Sequence, residues 1–248
     1  MRIGTVDIPT RVERERYFRE LSYLELSALF AGPQKPSMLA KFAELAPPGS
    51  IGLAAPYVLT HRKAPAGNKL WPHDATVGDF RDSEPGRAAL VELRDAVKAL
   101  HASCVVFRSP DSFSTSAANR DQLKRFFGEV ATDLGTDRVW APGGLWEVRG
   151  AAKLATELGV TLAFDPLVRD PNAPPEIYYD LEVPSLYLRV ERPGSISTER
   201  MEDLAALLEH YEDLPITVAF ASPERWNDAR NLKKLLAETA AETTEEAD

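Results

Sequence analysis

The feature that most narrows what this chain can fold into is a rhythm. Short runs rich in β-branched and apolar residues alternate with longer segments of helical spacing, the pattern of parallel strands joined by helical crossovers. Strands are predicted at 2–6 (RIGTV), 23–27 (YLELS), 51–55 (IGLAA), 104–109 (CVVFRS), 138–141 (RVWA), 161–165 (TLAFD), 185–190 (SLYLRV) and 216–221 (ITVAFA). Helices fit best at about 11–21, 37–45, 86–101, 116–130, 146–158, 198–211 and 223–238. Eight strands is the number that closes a (β/α)8 TIM barrel. The expected fold class is therefore α/β and TIM-barrel-like; a doubly wound open sheet is the alternative, because strand order cannot be read from one sequence.

Two connections break the rhythm. Residues 61–85 form a long Gly- and Pro-rich loop after strand 3, and residues 166–184 carry five prolines and no helical period, so the crossover after strand 6 should be irregular. Trp71 and Phe80 in the long loop suggest a lid over the barrel mouth, with deletion of 64–82 expected to leave the protein folded but to weaken ligand binding. The plainer reading anchors a surface loop. Local punctuation is clear elsewhere: Ser222 before Pro223 reads as an N-cap, Gly159 as a C-cap, and Trp226, Ala229, Leu232, Leu235 and Leu236 form one core stripe. A single domain over 1–238 is expected, followed by an acidic, disordered tail at 239–248.

Charge and motifs exclude more than they assign. Lys and Arg total 29 against 38 Asp and Glu, a formal net charge of -9, which argues against a nucleic-acid partner. Cys104 alone cannot form an internal disulfide and reads as a small buried hydrophobe. The opening MRIGTVDIP lacks a signal-like apolar stretch and no segment has the length of a membrane span, so cytoplasm is the default expectation. There is no P-loop, G-x-G-x-x-G or G-x-S-x-G, and no cofactor is expected. His101 and His210 fall at helix ends, where an imidazole complements the dipole; His61, His73 and Asp74 lack metal-ligand spacing, and no metal is expected.

Strand alternation yields the candidate site. In SLYLRV followed by Glu191, the apolar set Leu186, Leu188 and Val190 should face the helices, leaving Tyr187, Arg189 and Glu191 on the other face. By the same rule Glu25 and Ser27, Arg108, and Asp165 point inward, with Asp165 and Arg189 at similar heights as a candidate pair. Such charges must pair, reach water or shift their pKa values. They can serve acid-base chemistry or form a structural ion network. In RPGSIST, Arg192, Gly194 and Ser195 could hold an anion at a helix start, although Ser197 or Thr198 as a simple cap explains most of the same residues.

Several islands resemble the domain of unknown function 72, or YecE-like, family of TIM-barrel proteins. They are RIGT, LELSALF with Glu25, APYVLTH with Pro56, Thr60 and His61, FRSPDSF, FDP, LYLRVE, and the stretch holding Phe220 and Asn231. The departures are specific. Ser27 stands where the family has asparagine, Ala31 where it has tyrosine, Ala54 where it has lysine, Arg108 where it has glutamine and Glu191 where it has histidine. The family's E-F-R-H-P-S-W is similar to WAPGGLW, with Trp140, Pro142 and Gly143 in place of glutamate, arginine and histidine and Trp146 retained. The resemblance implies the barrel and a divergent member.

The functional expectation is a small polar or anionic ligand bound at the C-terminal mouth of the strands. If the protein is an enzyme, Glu25 and Asp165 would act as acid or base with Arg189, in a metal-independent hydrolysis or isomerisation. Arg108, Glu191, His61, Trp140 and Ser27 would contact the ligand. The alternative is a catalytically silent member that binds a ligand or a protein partner through the same scaffold.

Overall fold

The computed structural model describes residues 1–66, 71–168 and 175–245. Eight strands pair in sequence order and close: β1 (Arg2–Val6), β2 (Tyr23–Leu26), β3 (Ile51–Ala54), β4 (Cys104–Arg108), β5 (Asp137–Ala141), β6 (Thr161–Phe164), β7 (Leu186–Val190) and β8 (Ile216–Phe220). The closing pair is β1 with β8, parallel, with Ile3 opposite Val218 and Thr5 opposite Phe220. Closure excludes the open-sheet alternative. The helices are α1 (Arg14–Glu20), α2 (Ala28–Ala31), α3 (Pro36–Ala43), α4 (Tyr57–Thr60), α5 (Glu84–Leu100), α6 (Ala117–Arg125), α7 (Val148–Glu157), α8 (Thr198–His210) and α9 (Arg225–Glu245). Among the described residues, the crossover after β6 holds only a 3₁₀ turn, Pro175–Tyr178, as its prolines predict.

The chain divides into two compact units, Met1–Leu24 with Phe164–Asp248, and Glu25–Ala163. In the first, Gly4 lets β1 run against the backbone at Tyr23; a Cβ there would stand 1.6 Å from the Tyr23 carbonyl oxygen, so no other residue fits. The Tyr23 and Tyr187 hydroxyls, 3.0 Å apart, are hydrogen bonded in the core. All five residues of β7 are buried, Leu188 and Val190 completely. Tyr17 packs on Trp226, and of the predicted α9 stripe Ala229 and Leu232 are fully buried while Trp226, Leu235 and Leu236 are partly buried.

Two expectations in this unit are corrected. Ser222 does not cap α9: its hydroxyl donates to Asp228 Oδ2 at 2.6 Å, satisfying a carboxyl whose burial pushes its pKa up. The tail from 239 was expected to be disordered, yet α9 continues to Glu245. Alanine and glutamate extend a helix already nucleated, and propagation adds one hydrogen bond per residue. The predicted tail's last residues, 246–248, lie outside the described residues.

In the second unit β3, β4, β5 and β6 pair in parallel register, with Phe107 opposite Trp140 and Trp140 opposite Leu162. Phe80, Phe107, Phe113, Phe126 and Phe127 form one aromatic cluster, with Phe80 and Phe113 ring centroids 5.1 Å apart. A π-helical turn, Phe126–Val130, continues α6 and sends both consecutive phenylalanines inward.

This cluster overturns the lid expectation for the long loop. Phe80 is 0% exposed, and the amides of Gly78, Asp79 and Phe80 donate to the carbonyls of Val58, Thr60 and Leu59 at 2.7–3.0 Å. Those are carbonyls that the one-turn helix α4 leaves unsatisfied. Trp71 is buried and donates its indole N–H to the Leu29 carbonyl at 3.0 Å. Trp71, Val77 and Phe80 thus anchor the loop in the core while residues 72–76 are exposed, and residues 67–70 lie outside the described residues.

Candidate functional site

The candidate residues stand late on their strands or just beyond them, and they fall into the two units. In the unit of residues 25–163, Glu25 on β2 is 0% exposed and engaged within the fold. Ser27, the residue before α2, adopts helical backbone angles and makes no capping bond. His61 ends α4, half-buried, with its Nδ1 2.7 Å from the Thr60 hydroxyl and its ring edge-on to Phe30 at 5.1 Å. Burial first, and the Arg108 guanidinium second, push its pKa down to about 4, with Asp79 and Asp111 opposing. The imidazole is neutral at pH 7. Arg108 is the last residue of β4 and half-buried.

Tyr57 and His73 extend this cluster: their rings stack at 5.7 Å, the hydroxyl lies 3.2 Å from Nδ1, and Tyr57 also meets Phe30 at 6.2 Å. Phe30, Tyr57 and Asp111 were missed in the sequence. The available signal was Tyr57 itself, inside APYVLTH, which strand alternation does not weigh.

Trp140 contacts no solvent and is a space-filler rather than an exposed ligand surface: 0% exposed, it donates its indole N–H to the Ser109 hydroxyl at 2.7 Å and packs edge-on against Trp146. The Gly143–Gly144 turn beyond it docks on the β4–α6 connection. Gly144 has φ +77°, its amide donates to Asp111 Oδ1 at 3.1 Å, and a Cβ on it would lie 2.4 Å from the Asp111 carbonyl oxygen. A Cβ on Gly143 would lie 2.5 Å from the Ser109 carbonyl oxygen. WAPGGLW is thus a packed turn, anchored by Trp146 Nε1 on the Phe113 carbonyl at 3.0 Å and carrying Leu145, 95% exposed, at its tip.

In the other unit, Asp165 follows β6 and spends both carboxyl oxygens on backbone: Oδ1 accepts from the Leu167 amide at 2.9 Å and Oδ2 from the Glu191 amide at 2.8 Å. It clasps the turns after β6 and β7 together. Burial raises its pKa, opposed by the Leu167 hydrogen bond and by Arg192 and Arg200. Arg189, buried on β7, forms an ion pair with the half-exposed Glu191. Arg192 and Arg200 each donate to the Leu167 carbonyl at 2.8 Å. Arg200 was missed because it sits in the predicted first turn of α8, where a charged residue reads as solvated surface.

Among the described residues, no group of three or more His, Cys, Asp or Glu side chains is arranged to hold a metal ion, and no helix is long and apolar enough to cross a membrane. A cavity of about 510 Å³ between α3 and α5, lined by Leu29, Leu39, Ala43 and Ala96 among others, contains none of the candidate residues.

No family model and no curated protein matches the sequence. Solved structures do match. A DUF72 family protein from Enterococcus faecalis superposes with a TM-score of 0.71 at 12% identity, covering 95% of each chain. Another from Thermotoga maritima gives 0.64 at 14% identity, over 95% of this chain and 98% of that one. A xylose isomerase domain protein from Planctomyces limnophilus gives 0.55 at 13% identity, covering 95% of each. What these likenesses establish is the architecture: this chain has the TIM-barrel fold of the DUF72 family proteins, the fold its sequence islands imply.

Proposed function

We propose that the protein binds a small polar or anionic ligand at the C-terminal ends of its barrel strands, through Arg108 and His61, without turning it over. The observation that carries this is the neutral, half-buried imidazole of His61, acted on by the Arg108 guanidinium and set edge-on to the ring of Phe30. A cation next to an uncharged hydrogen-bonding ring and an aromatic wall suits a carboxylate on a small organic body.

Binding is preferred to catalysis because the carboxylates expected to move protons have other duties. Asp165 holds two backbone amides, and Glu25 is fully buried and engaged within the fold. The second reading is acid-base catalysis of hydrolysis or isomerisation, and one observation favours it: burial raises the Asp165 pKa, as a general acid requires.

A panel of small carboxylic acids screened by thermal shift, with the His61 imidazole followed by NMR, tests the proposal. At least one member should raise Tm and move the His61 resonances, and Arg108→Ala and His61→Ala should each weaken it about tenfold or more. Stabilisation that both variants retain would place the ligand elsewhere and refute the assignment.

A further inference from the structure

We propose that Arg192 and Arg200 form an oxyanion site for the phosphoryl group of a small molecule, independent of the reading that rests on Arg108 and His61. Both guanidiniums point one N–H at the same acceptor, the Leu167 carbonyl oxygen, each at 2.8 Å. Their donating nitrogens can therefore be no farther apart than twice that distance. Each guanidinium has five N–H donors, and among the described residues one hydrogen bond is all that each makes. One carbonyl dipole does not neutralise two full charges. The nearby Asp165 carboxylate supplies one negative charge, but its two oxygens are turned onto the Leu167 and Glu191 amides. Among the described residues a set of convergent N–H donors remains uncommitted.

An oxyanion with three or more acceptor oxygens fits this arrangement, because planar guanidiniums grip phosphate two N–H groups at a time. The loop that joins the two arginines is open at one point. Arg192 opens the loop between β7 and α8, Arg200 lies in the first turn of α8, and the intervening Gly194 has nothing within 4 Å of the position of a Cβ. The scaffold is preorganised: Asp165 fixes the turns after β6 and β7, and the Ser197 hydroxyl accepts from the Arg200 amide at 3.5 Å.

Titration of the full chain with inorganic phosphate, read through the side-chain Nε–Hε resonances of Arg192 and Arg200 and by calorimetry, tests the site. Saturable binding that shifts both resonances and weakens with added salt is expected. Because Arg192→Ala also removes a contact that anchors Leu167, the decisive variant is Gly194→Asp, which places a carboxylate in open space and leaves both guanidinium contacts intact. Gly194→Asp should weaken phosphate binding at least tenfold with Tm unchanged, while Gly194→Asn and Arg108→Ala bind as the native chain does. Absence of saturable binding in the native chain, or equal affinity in Gly194→Asp, would overturn the proposal. Loss on Arg108→Ala with Gly194→Asp unaffected would overturn it too and assign phosphate to the other cluster.

Discussion

An imidazole with a pKa of about 4 stays uncharged through the range in which an ordinary histidine, at 6.5, takes up its proton. The unfolded chain then binds more protons than the folded one between those values, so His61's contribution is complete above about pH 6.5 and is lost as pH falls toward 4. At 1.36 kcal/mol per pKa unit the limit is about 3.4 kcal/mol, and partial exposure reduces it to about 2. Urea unfolding at pH 7 and pH 4.5 checks this: His61→Gln should flatten the difference, and an unchanged pH dependence would show that other groups carry it. Asp165 gives a second expectation. Asparagine keeps one acceptor oxygen for two backbone amides and turns an NH₂ group toward the other, so Asp165→Asn should cost about 1–3 kcal/mol in urea unfolding. A neutral substitution would mean that the clasp is dispensable. Strand alternation picked out polar residues that stand late on their strands or just beyond them. Their partners were not, because alternation records which way a side chain points and says nothing of which backbone amides a neighbouring turn delivers to it.

At the level of elements, boundaries of strands were readable to within a residue because short apolar runs end abruptly at polar or turn residues. Loops were harder. The long connection after β3 had the composition of a surface excursion, yet its amides complete α4 and its Phe80 completes an aromatic cluster, long-range roles invisible in local composition. Phe80→Ala should therefore cost about 3–5 kcal/mol, and deletion of 64–82 should abolish cooperative thermal unfolding rather than merely trim a lid. A deletion variant with native-like cooperativity would restore the lid reading. The β5–α7 turn makes the complementary point. Its sequence looked like chemistry lost; the structure shows packing gained, since Gly144 at positive φ lies against the Asp111 carbonyl where no side chain fits. Gly144→Ala should cost about 2–4 kcal/mol from strain and contact together, measurable as a lowered urea midpoint.

Across the whole molecule the sheet has no free edge only because β1, at the start of the chain, pairs with β8 more than two hundred residues later, from Arg2 opposite Thr217 to Thr5 opposite Phe220. Such a contact carries the largest loop-closure cost of any in the fold and cannot be inferred from local pattern; the sequence supports eight strands, and closure follows only if the count is complete. On the other side of β1, Gly4 marks a tight contact with β2, where it meets the backbone at Tyr23 without room for a methyl group. Two changes separate the roles of pairing and packing. Removal of residues 1–6 should leave β8 with an unpaired ladder and drive self-association, seen as early elution in size-exclusion chromatography and dye binding to exposed apolar surface. Gly4→Ala keeps every strand residue and every donor yet inserts one carbon at 1.6 Å from a carbonyl oxygen, and should produce the same behaviour. A monomeric, cooperatively unfolding Gly4→Ala protein would mean that β1 can shift aside without opening the barrel, and closure would then not depend on this contact.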